Sequence, residues 1–242
     1  DVDYDPTLPL HVAVDPGLDD PCAILWIKPC RAEKTFRIID DVHYSGKTGE
    51  WFVPLLLGYI PSHTRYGVEW GKAFDYDAQT MEMIRRHGKW HPIDEMYGGA
   101  VGAFKTQASP MSLFDLWYSY GVARRFGGIV GVKHDSKDEA VRQAEIILPR
   151  VRIARRLDSQ RTQGSGSPTL VECFYQYEWA ERESPTGRKM NRQPKHNIFS
   201  HAMDAWQIYI AGKQEDPVDA ALEPLINEES DKLLDNEQLI QE

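Results

Sequence analysis

Short apolar runs separated by turn residues organise the first part of the chain. One run, Leu10–Val14, ends on Asp15 and a Pro-Gly turn, and a second run covers Cys22–Trp26. Two β-type runs joined by such a turn are typical of a hairpin. Alternation along the first strand places Asp15 on the same face as His11 and Ala13. The pattern therefore predicts a carboxylate at the end of a central strand, where it needs a hydrogen-bonding, charged or metal partner.

The rest of the chain alternates between strand and helix patterns. The further predicted strands are short apolar or β-branched runs: Thr35–His43, Trp90–Tyr97 and Gly128–Lys133. The predicted helices have apolar positions three or four residues apart: Glu50–Tyr59 (equally compatible with a buried run), Asp77–His87, Ser109–Tyr120, Asp135–Val151, Thr169–Glu183 and Ile198–Ala211. Leading strands followed by alternating helices and strands predict an α/β fold, with a mixed sheet and helices on its faces.

Charge divides the chain into two parts. Residues 214–242 hold ten acidic residues and one lysine, so that residues 1–213 hold 27 acids and 27 bases. A neutral body with an acidic end predicts one folded domain, 1–212, and a solvated acidic tail, 213–242.

Composition also excludes several classes of protein. No apolar run approaches the roughly 20 residues of a membrane span, and no basic-then-apolar signal segment is present. The three cysteines form no closely spaced pair, which argues against a disulfide framework or a thiolate zinc site and predicts a reducing, cytoplasmic setting. Because the chain does not begin with Met, we expect it to be a piece of a longer polypeptide.

Three carboxylates at the ends of apolar segments are the candidate catalytic residues. Asp15 ends the first strand, Asp94 lies in a later strand before Gly98-Gly99, and Asp204 follows His201 by three residues on one helix face. A helix packed over the sheet would bring this pair to the strand ends. Carboxylates and one imidazole form a hard-ligand site that suits Mg²⁺ or Mn²⁺. The alternative is that each acid is a cap or a surface ion pair, and the histidine a buried structural residue.

Two basic segments, 150–161 and 188–195, offer contacts to phosphate groups. Such contacts supply affinity for nucleic acid that does not depend on its sequence. The candidate DNA-binding residues are Arg155, Arg156, Arg188, Lys189, Arg192 and Lys195.

Three motifs carry a resemblance to a known family. The stretches VAVDPGLDDPCAIL, DEMYGG and PKHNIFSHAMDAW resemble, in order and approximate spacing, the nuclease domain of tailed-bacteriophage large terminases, which package and cut viral DNA. The match covers about residues 10 to 212, and its last motif is the most specific. In the middle motif the family usually has Gly-Asp-Pro, where this chain has Ile93-Asp94-Glu95. Glu95 is therefore expected to replace or assist Asp94.

The resemblance implies an RNase H-like fold and a two-metal endonuclease that cuts double-stranded DNA with little sequence preference. By position, Asp15, Asp94 and Asp204 would be catalytic and would hold two Mg²⁺ or Mn²⁺, with His201 as an accessory ligand. Asp20 would form a turn.

The resemblance also implies partners. These are double-stranded DNA, an ATPase domain of the same polypeptide, the portal protein and the small terminase subunit, with no membrane, in the host cytoplasm. Asp40 and Asp41, at the end of the third strand, are further candidates to approach the metals.

Two alternatives remain open at this point. The same metal site would serve a Holliday-junction resolvase or an RNase H-type nuclease. A non-catalytic docking module would instead use the acids structurally and the tail to bind a partner.

Overall fold

Six strands form one sheet in the computed structural model. The structure describes residues 2, 4–17, 21–62, 70, 74–90, 92–103, 111–133, 137–161, 167–180 and 193–214. The strands of the main sheet are β1 (His11–Asp15), β2 (Cys22–Cys30), β3 (Thr35–Tyr44), β4 (Glu95–Gly99), β5 (Val130–Val132) and β6 (Val151–Ile153). Their spatial order is β5-β4-β1-β2-β3-β6.

The sheet is built from an antiparallel meander with parallel strands added at both edges. β2 runs antiparallel to β1, so that Asp15 pairs with Ala23, and β3 pairs antiparallel with β2. On the other side of β1, β4 and then β5 run parallel, while β6 runs parallel to β3. The predicted hairpin and mixed sheet are confirmed.

Helices cover both faces of the sheet. They are α1 (Val53–Leu57), α2 (Ala78–Trp90), α3 (Leu113–Ser119), α4 (Lys137–Ile147), α5 (Leu170–Tyr175) and α6 (Ser200–Gln214). The first three pack on the face that carries Val12 and Val14, and the last three on the face that carries Ala13 and Leu25. A separate two-stranded ladder pairs Trp179–Ala180 with Gln193–Pro194. Within the described ranges, no helix has the length and apolar character needed to cross a membrane.

The long helix α6 lies against the centre of the sheet. It packs on β1, β2 and β4, where the small side chains of Ala13 and Ala23 are fully covered. Trp206 and Tyr209 are also completely buried, as expected of a helix that is apolar on most of its circumference. This burial fixes the helix relative to the end of β1, and so fixes the polar residues in its first turns.

Three elements differ from the sequence prediction. The fourth strand begins at Glu95 and continues through Gly98-Gly99, because Trp90 belongs to the preceding helix. The helix predicted over Asp135–Val151 ends at Ile147, and the chain then adds β6 to the sheet edge. The helix predicted from Thr169 does begin there, with a complete capping box, but ends at Tyr175.

Candidate active site

Residues from the first strand and the last helix meet at one end of the sheet. Asp15 is the last residue of β1, and its carboxylate keeps 20% of its surface exposed. His201, in the first turn of α6, is buried, and its Nδ1 lies 3.3 Å from Asp15 Oδ2. The ring of His196 packs edge-on against the ring of His201, with the centroids 4.9 Å apart. A hydrogen bond in this position holds both the imidazole and the carboxylate in place.

Asp204 lies one turn further along the same face of α6. Burial raises the pKa of Asp204, the Asp15 carboxylate adds to this rise, and the Lys137 ammonium opposes it. Lys137 Nζ, at the start of α4, donates a hydrogen bond to Asp204 Oδ1 at 2.7 Å. The site is therefore a pair of neighbouring carboxylates whose repulsion is relieved by one lysine.

The donor set fits a hard divalent cation in its chemistry. Two carboxylates and one imidazole, without thiolates, suit Mg²⁺ or Mn²⁺, and Asp15, His201 and Asp204 are the residues that would hold the ion. The arrangement is incomplete, however, because Lys137 contacts Asp204. Across the ranges that the structure describes, no three His, Cys, Asp or Glu side chains are arranged as the ligands of one metal ion.

Asp94 lies at the opposite end of the sheet, which corrects the expectation that it meets Asp15. Its backbone N–H donates to Leu10 O at 2.7 Å, and Leu10 N–H donates to Asp94 Oδ2 at 2.8 Å. Asp15 follows Leu10 by five residues, a separation of about 16 Å along a strand. The physical reason is the parallel register of β4 on β1, which sets Glu95 beside His11.

Glycines occupy the end of β4 that lies beside the candidate site. Gly98 pairs with Val14, and a Cβ atom on Gly99 would lie 3.1 Å from Ile208 Cδ1 and 3.2 Å from Pro16 Cδ. A side chain at Gly99 would therefore have to displace Ile208 or Pro16. Of the three predicted catalytic acids, the structure therefore brings together Asp15 and Asp204.

Glu95, expected to replace or assist Asp94, is also engaged away from the candidate site. Its Oε2 accepts hydrogen bonds from Tyr97 Oη and Lys213 Nζ, each at 2.6 Å. Burial by itself raises the pKa of Glu95, but these hydrogen bonds and the nearby His11 bring the pKa below its ordinary value. Glu95 is thus an ion-paired residue at the Asp94 end of the sheet.

Asp40 and Asp41 have partners of their own. Asp40 is fully buried on the α2 face, where Arg86 Nε, His87 Nε2 and Gln160 Nε2 lie within 3.0 Å of its oxygens. The Asp41 carboxylate contacts His43 Nδ1 at 3.0 Å. Both carboxylates belong to buried structural networks.

The candidate DNA-binding residues have different surroundings. The Arg156 guanidinium donates to Ile39 O and stacks over the ring of Trp90, 5.4 Å from its centroid, and its side chain remains 32% exposed. Arg155 is exposed, and Lys195 Nζ pairs with Glu178 at 2.6 Å. The remaining candidates are Arg188, Lys189 and Arg192, and they lie outside the described residues. Asp20 lies outside them as well.

Lys137 is the site residue that sequence reasoning missed. It stands among other charged residues at a helix start, a pattern shared by many solvent-exposed helices. Only the packing of α4 beside α6 brings its ammonium to Asp204.

The sheet order and the helices on both faces define an α/β domain of the RNase H-like class. Among solved structures, the chain is similar to the large terminase of a thermophilic bacteriophage, with 12% identity over 86% of this chain and 39% of that chain, and a TM-score of 0.49. It is also similar to the g2p large terminase nuclease domain of bacteriophage SPP1, solved with bound Mn, with 12% identity over 86% of this chain and 87% of that chain, and a TM-score of 0.44.

The chain therefore spans about two fifths of the length of the thermophilic-phage terminase. No family model and no curated protein matches its sequence. The similarity concerns the path of the chain.

Proposed function

We propose that this chain is the nuclease part of a viral genome-packaging motor, a divalent-cation-dependent endonuclease that cuts double-stranded DNA. The observation that supports this function is the meeting of Asp15 with His201 and Asp204. Asp15 and His201 are separated by 186 residues in the sequence, and yet they contact each other at one sheet end beside a second carboxylate. Partly buried acids held together in this way are costly unless positive charge compensates them. Lys137 supplies one such charge, and a divalent cation would supply more.

Each residue of the site has a distinct proposed role. Asp15 and Asp204 would hold the cation through oxygen, and His201 would orient Asp15 or bind as an accessory ligand. A bound divalent cation lowers the pKa of water and stabilises the charge that develops on phosphoryl oxygens. These donors would supply part of the coordination of one Mg²⁺ or Mn²⁺, and water or phosphate oxygens would complete it. The second cation of a two-metal mechanism would need donors beyond the described residues.

The wider assignment rests on the sequence motifs. The residues proposed to contact the phosphates of DNA are Arg155, Arg156, Arg188, Lys189, Arg192 and Lys195. The proposed partners are the ATPase domain of the same polypeptide, the portal protein and the small terminase subunit, in the host cytoplasm. The proposed cuts are those that begin and end the packaging of one genome.

The test is conversion of supercoiled plasmid to nicked and linear forms, with Mn²⁺, with Mg²⁺ and with EDTA. We expect metal-dependent cutting by the wild type, at least a hundredfold slower cutting by Asp204→Asn, and wild-type cutting by Asp94→Asn. The Asp94 variant is a matched control, because the structure places that acid at the far end of the sheet. If Asp94→Asn abolishes cutting and Asp204→Asn does not, the proposed site is in the wrong place.

Substrate choice tests the remaining alternatives. Preference for linear duplex over a four-way junction or an RNA–DNA hybrid supports the packaging nuclease. A folded protein that neither cuts DNA nor gains thermal stability from Mn²⁺ would favour the docking module instead.

A further inference from the structure

A cavity of about 650 Å³ lies at the end of the sheet away from Asp15 and Asp204. Its wall is mainly apolar and includes Leu8, Pro29, Phe36 and Tyr209. A volume in this range holds a small ligand or several side chains of a peptide. The cavity shares no residue with the candidate active site, so it is a separate feature of the molecule.

The charged residues around the cavity are not equivalent. Lys213 is only 2% exposed and is paired with Glu95, so that these two charges largely compensate each other inside the wall. Arg31 and Lys34 lie on the exposed turn between β2 and β3 and form a basic rim. The Asp94 carboxylate, also in the wall, accepts a hydrogen bond from the Leu10 backbone. The occupant that fits best is therefore an apolar segment with acidic residues beside it.

The last helix, α6, ends beside this cavity. Tyr209 and Lys213 of α6 both line it, and the described part of the chain ends one residue later, at Gln214. Residue 217 is three residues further on, and an extended chain covers about 10 Å in three residues. The C-terminal segment thus begins within reach of the cavity.

The sequence of that segment matches the cavity in polarity and charge. Between residues 215 and 226, apolar and acidic residues alternate in small groups: Glu215, Asp216, Val218, Asp219, Leu222, Glu223, Leu225 and Ile226. The whole of 215–242 contains ten acids and one lysine, whereas residues 1–213 are neutral. Charge complementarity with the rim therefore favours this segment over the rest of the chain.

We propose that the cavity is the docking site of the chain's own C-terminal segment, residues 217–226. The apolar side chains of the segment fill the cavity, and its acidic residues face Arg31 and Lys34. A short covalent connection raises the effective concentration of such a segment to the millimolar range, so that even a weak contact is mostly formed. The proposal does not depend on the proposed nuclease function.

The experiment is hydrogen–deuterium exchange, read by mass spectrometry, on the full chain. In the wild type we expect the backbone N–H groups of the non-proline residues in 217–226 to exchange about tenfold or more slowly than in a free peptide of the same sequence. Lys34→Glu, which reverses one charge of the rim, and Leu222→Asp, which places a charge in the apolar part of the segment, should both restore the exchange rate of the free peptide. Lys89→Glu is the matched control: it makes the same charge change at an exposed position on α2 and should leave the protection intact.

Three outcomes would overturn the proposal. In the first, the wild-type segment exchanges as fast as the free peptide. In the second, it is protected equally in Lys34→Glu and in the wild type, as a segment folded on its own would be. In the third, protection appears only as the protein concentration rises, which would assign the cavity to the segment of a second copy. Exchange in β1 and β2 reports in each case whether the variant is folded.

Discussion

At the scale of single residues, the important contact of the candidate active site is the one between Asp204 and the positive charge beside it. Asp204 is buried near Asp15, and the Lys137 ammonium is the cation that the structure sets against it. A lysine in this position lowers the repulsion between the two carboxylates, and a divalent cation would compete with it for the same oxygen. The lysine and the metal are therefore expected to be alternatives.

Replacing Lys137 with Met should reveal that competition. Without the ammonium, the two carboxylates repel each other, so the metal-free protein should melt at a lower temperature than the wild type. Mn²⁺ should then bind more tightly, by a factor on the order of ten, which is about 1.4 kcal/mol. Titration calorimetry and thermal melts with Mn²⁺ and with EDTA measure both effects. Lys89→Met, made at an exposed site, is the control; an equal Mn²⁺ affinity in wild type and Lys137→Met would contradict the competition.

A second prediction concerns Asp40 and acid stability. Burial alone would raise the pKa of Asp40, but His87, Arg86 and Arg156 hold it well below its ordinary value. The folded state thus binds fewer protons than the unfolded state at this residue. Its stabilising effect is complete at neutral pH, begins to fall as the pH drops towards about 4, the ordinary Asp value, and is lost as the pH passes the lowered folded-state value.

Asp40→Asn should therefore have two effects on stability. At pH 7 it should lower the free energy of unfolding by about 1–3 kcal/mol, because the partly buried Arg86 and the buried His87 lose the carboxylate that they contact. Its stability should also change less than that of the wild type between about pH 5, roughly one unit above the ordinary Asp pKa, and about pH 2, roughly two units below it. Urea unfolding at each pH measures this change. Parallel pH profiles of the two proteins would show that Asp40 does not govern acid unfolding.

At the scale of elements, the sequence predicts best where periodicity is strong and poorly where glycine or a short strand interrupts it. The hairpin, the third strand, α2 and α6 were all predicted within a few residues. The fourth strand was misplaced because two of its five residues are glycines, which carry no strand signal. That shift alone moved Asp94 from the candidate site to the other end of the sheet. The strand β6 was missed because three residues are too few for a pattern.

The glycines of β4 provide a test of this element. Gly98 pairs with Gly131 on β5. A Cβ on Gly98 would overlap the ring of Phe114, whereas a Cβ on Gly131 meets nothing within 4 Å. Gly98→Ala should therefore destabilise the protein by about 1–3 kcal/mol, through overpacking against a buried ring. Gly131→Ala should be neutral or slightly stabilising. Urea unfolding of the pair decides this, and equal losses would mean that the Phe114 contact is unimportant.

The sequence predicts that Asp15, His201 and Asp204 lie together, but it misplaces Asp94 and does not indicate Lys137. Asp15 and the His201–Asp204 pair follow from strand alternation and helix spacing, which are local properties of the sequence. Asp94 and Lys137 depend on the register between strands and on the packing of one helix beside another. The strand register and the helix packing are decided by contacts between segments far apart in the chain. Such contacts produce no periodic pattern in a single sequence.

At the scale of the whole molecule, the reactivity of the three cysteines shows whether the domain unfolds as one unit. Cys22 and Cys30 lie on β2 and Cys173 on α5, and all three are buried. Burial raises the pKa of Cys173 to about 12, so its reactive thiolate form is rare at neutral pH.

We expect no thiol of the native protein to react rapidly with Ellman's reagent, and all three to react in denaturant. With increasing urea, the reactive fraction should rise together with the loss of circular dichroism, because the thiols share one sheet and its covering helices. A thiol that reacts before the unfolding transition would show that part of the domain opens independently.

The helix α6 has a mechanical consequence. It spans 15 residues, about 22 Å, with His201 and Asp204 near its start and Tyr209 and Lys213 near its end. A buried helix is stiff along its axis, so a small axial shift at one end is transmitted to the other almost undiminished. A load applied to the chain beyond Gln214 therefore strains the packing of Trp206 and Tyr209 on the sheet first. Only a load that shifts the whole helix would change the spacing between Asp15 and Asp204.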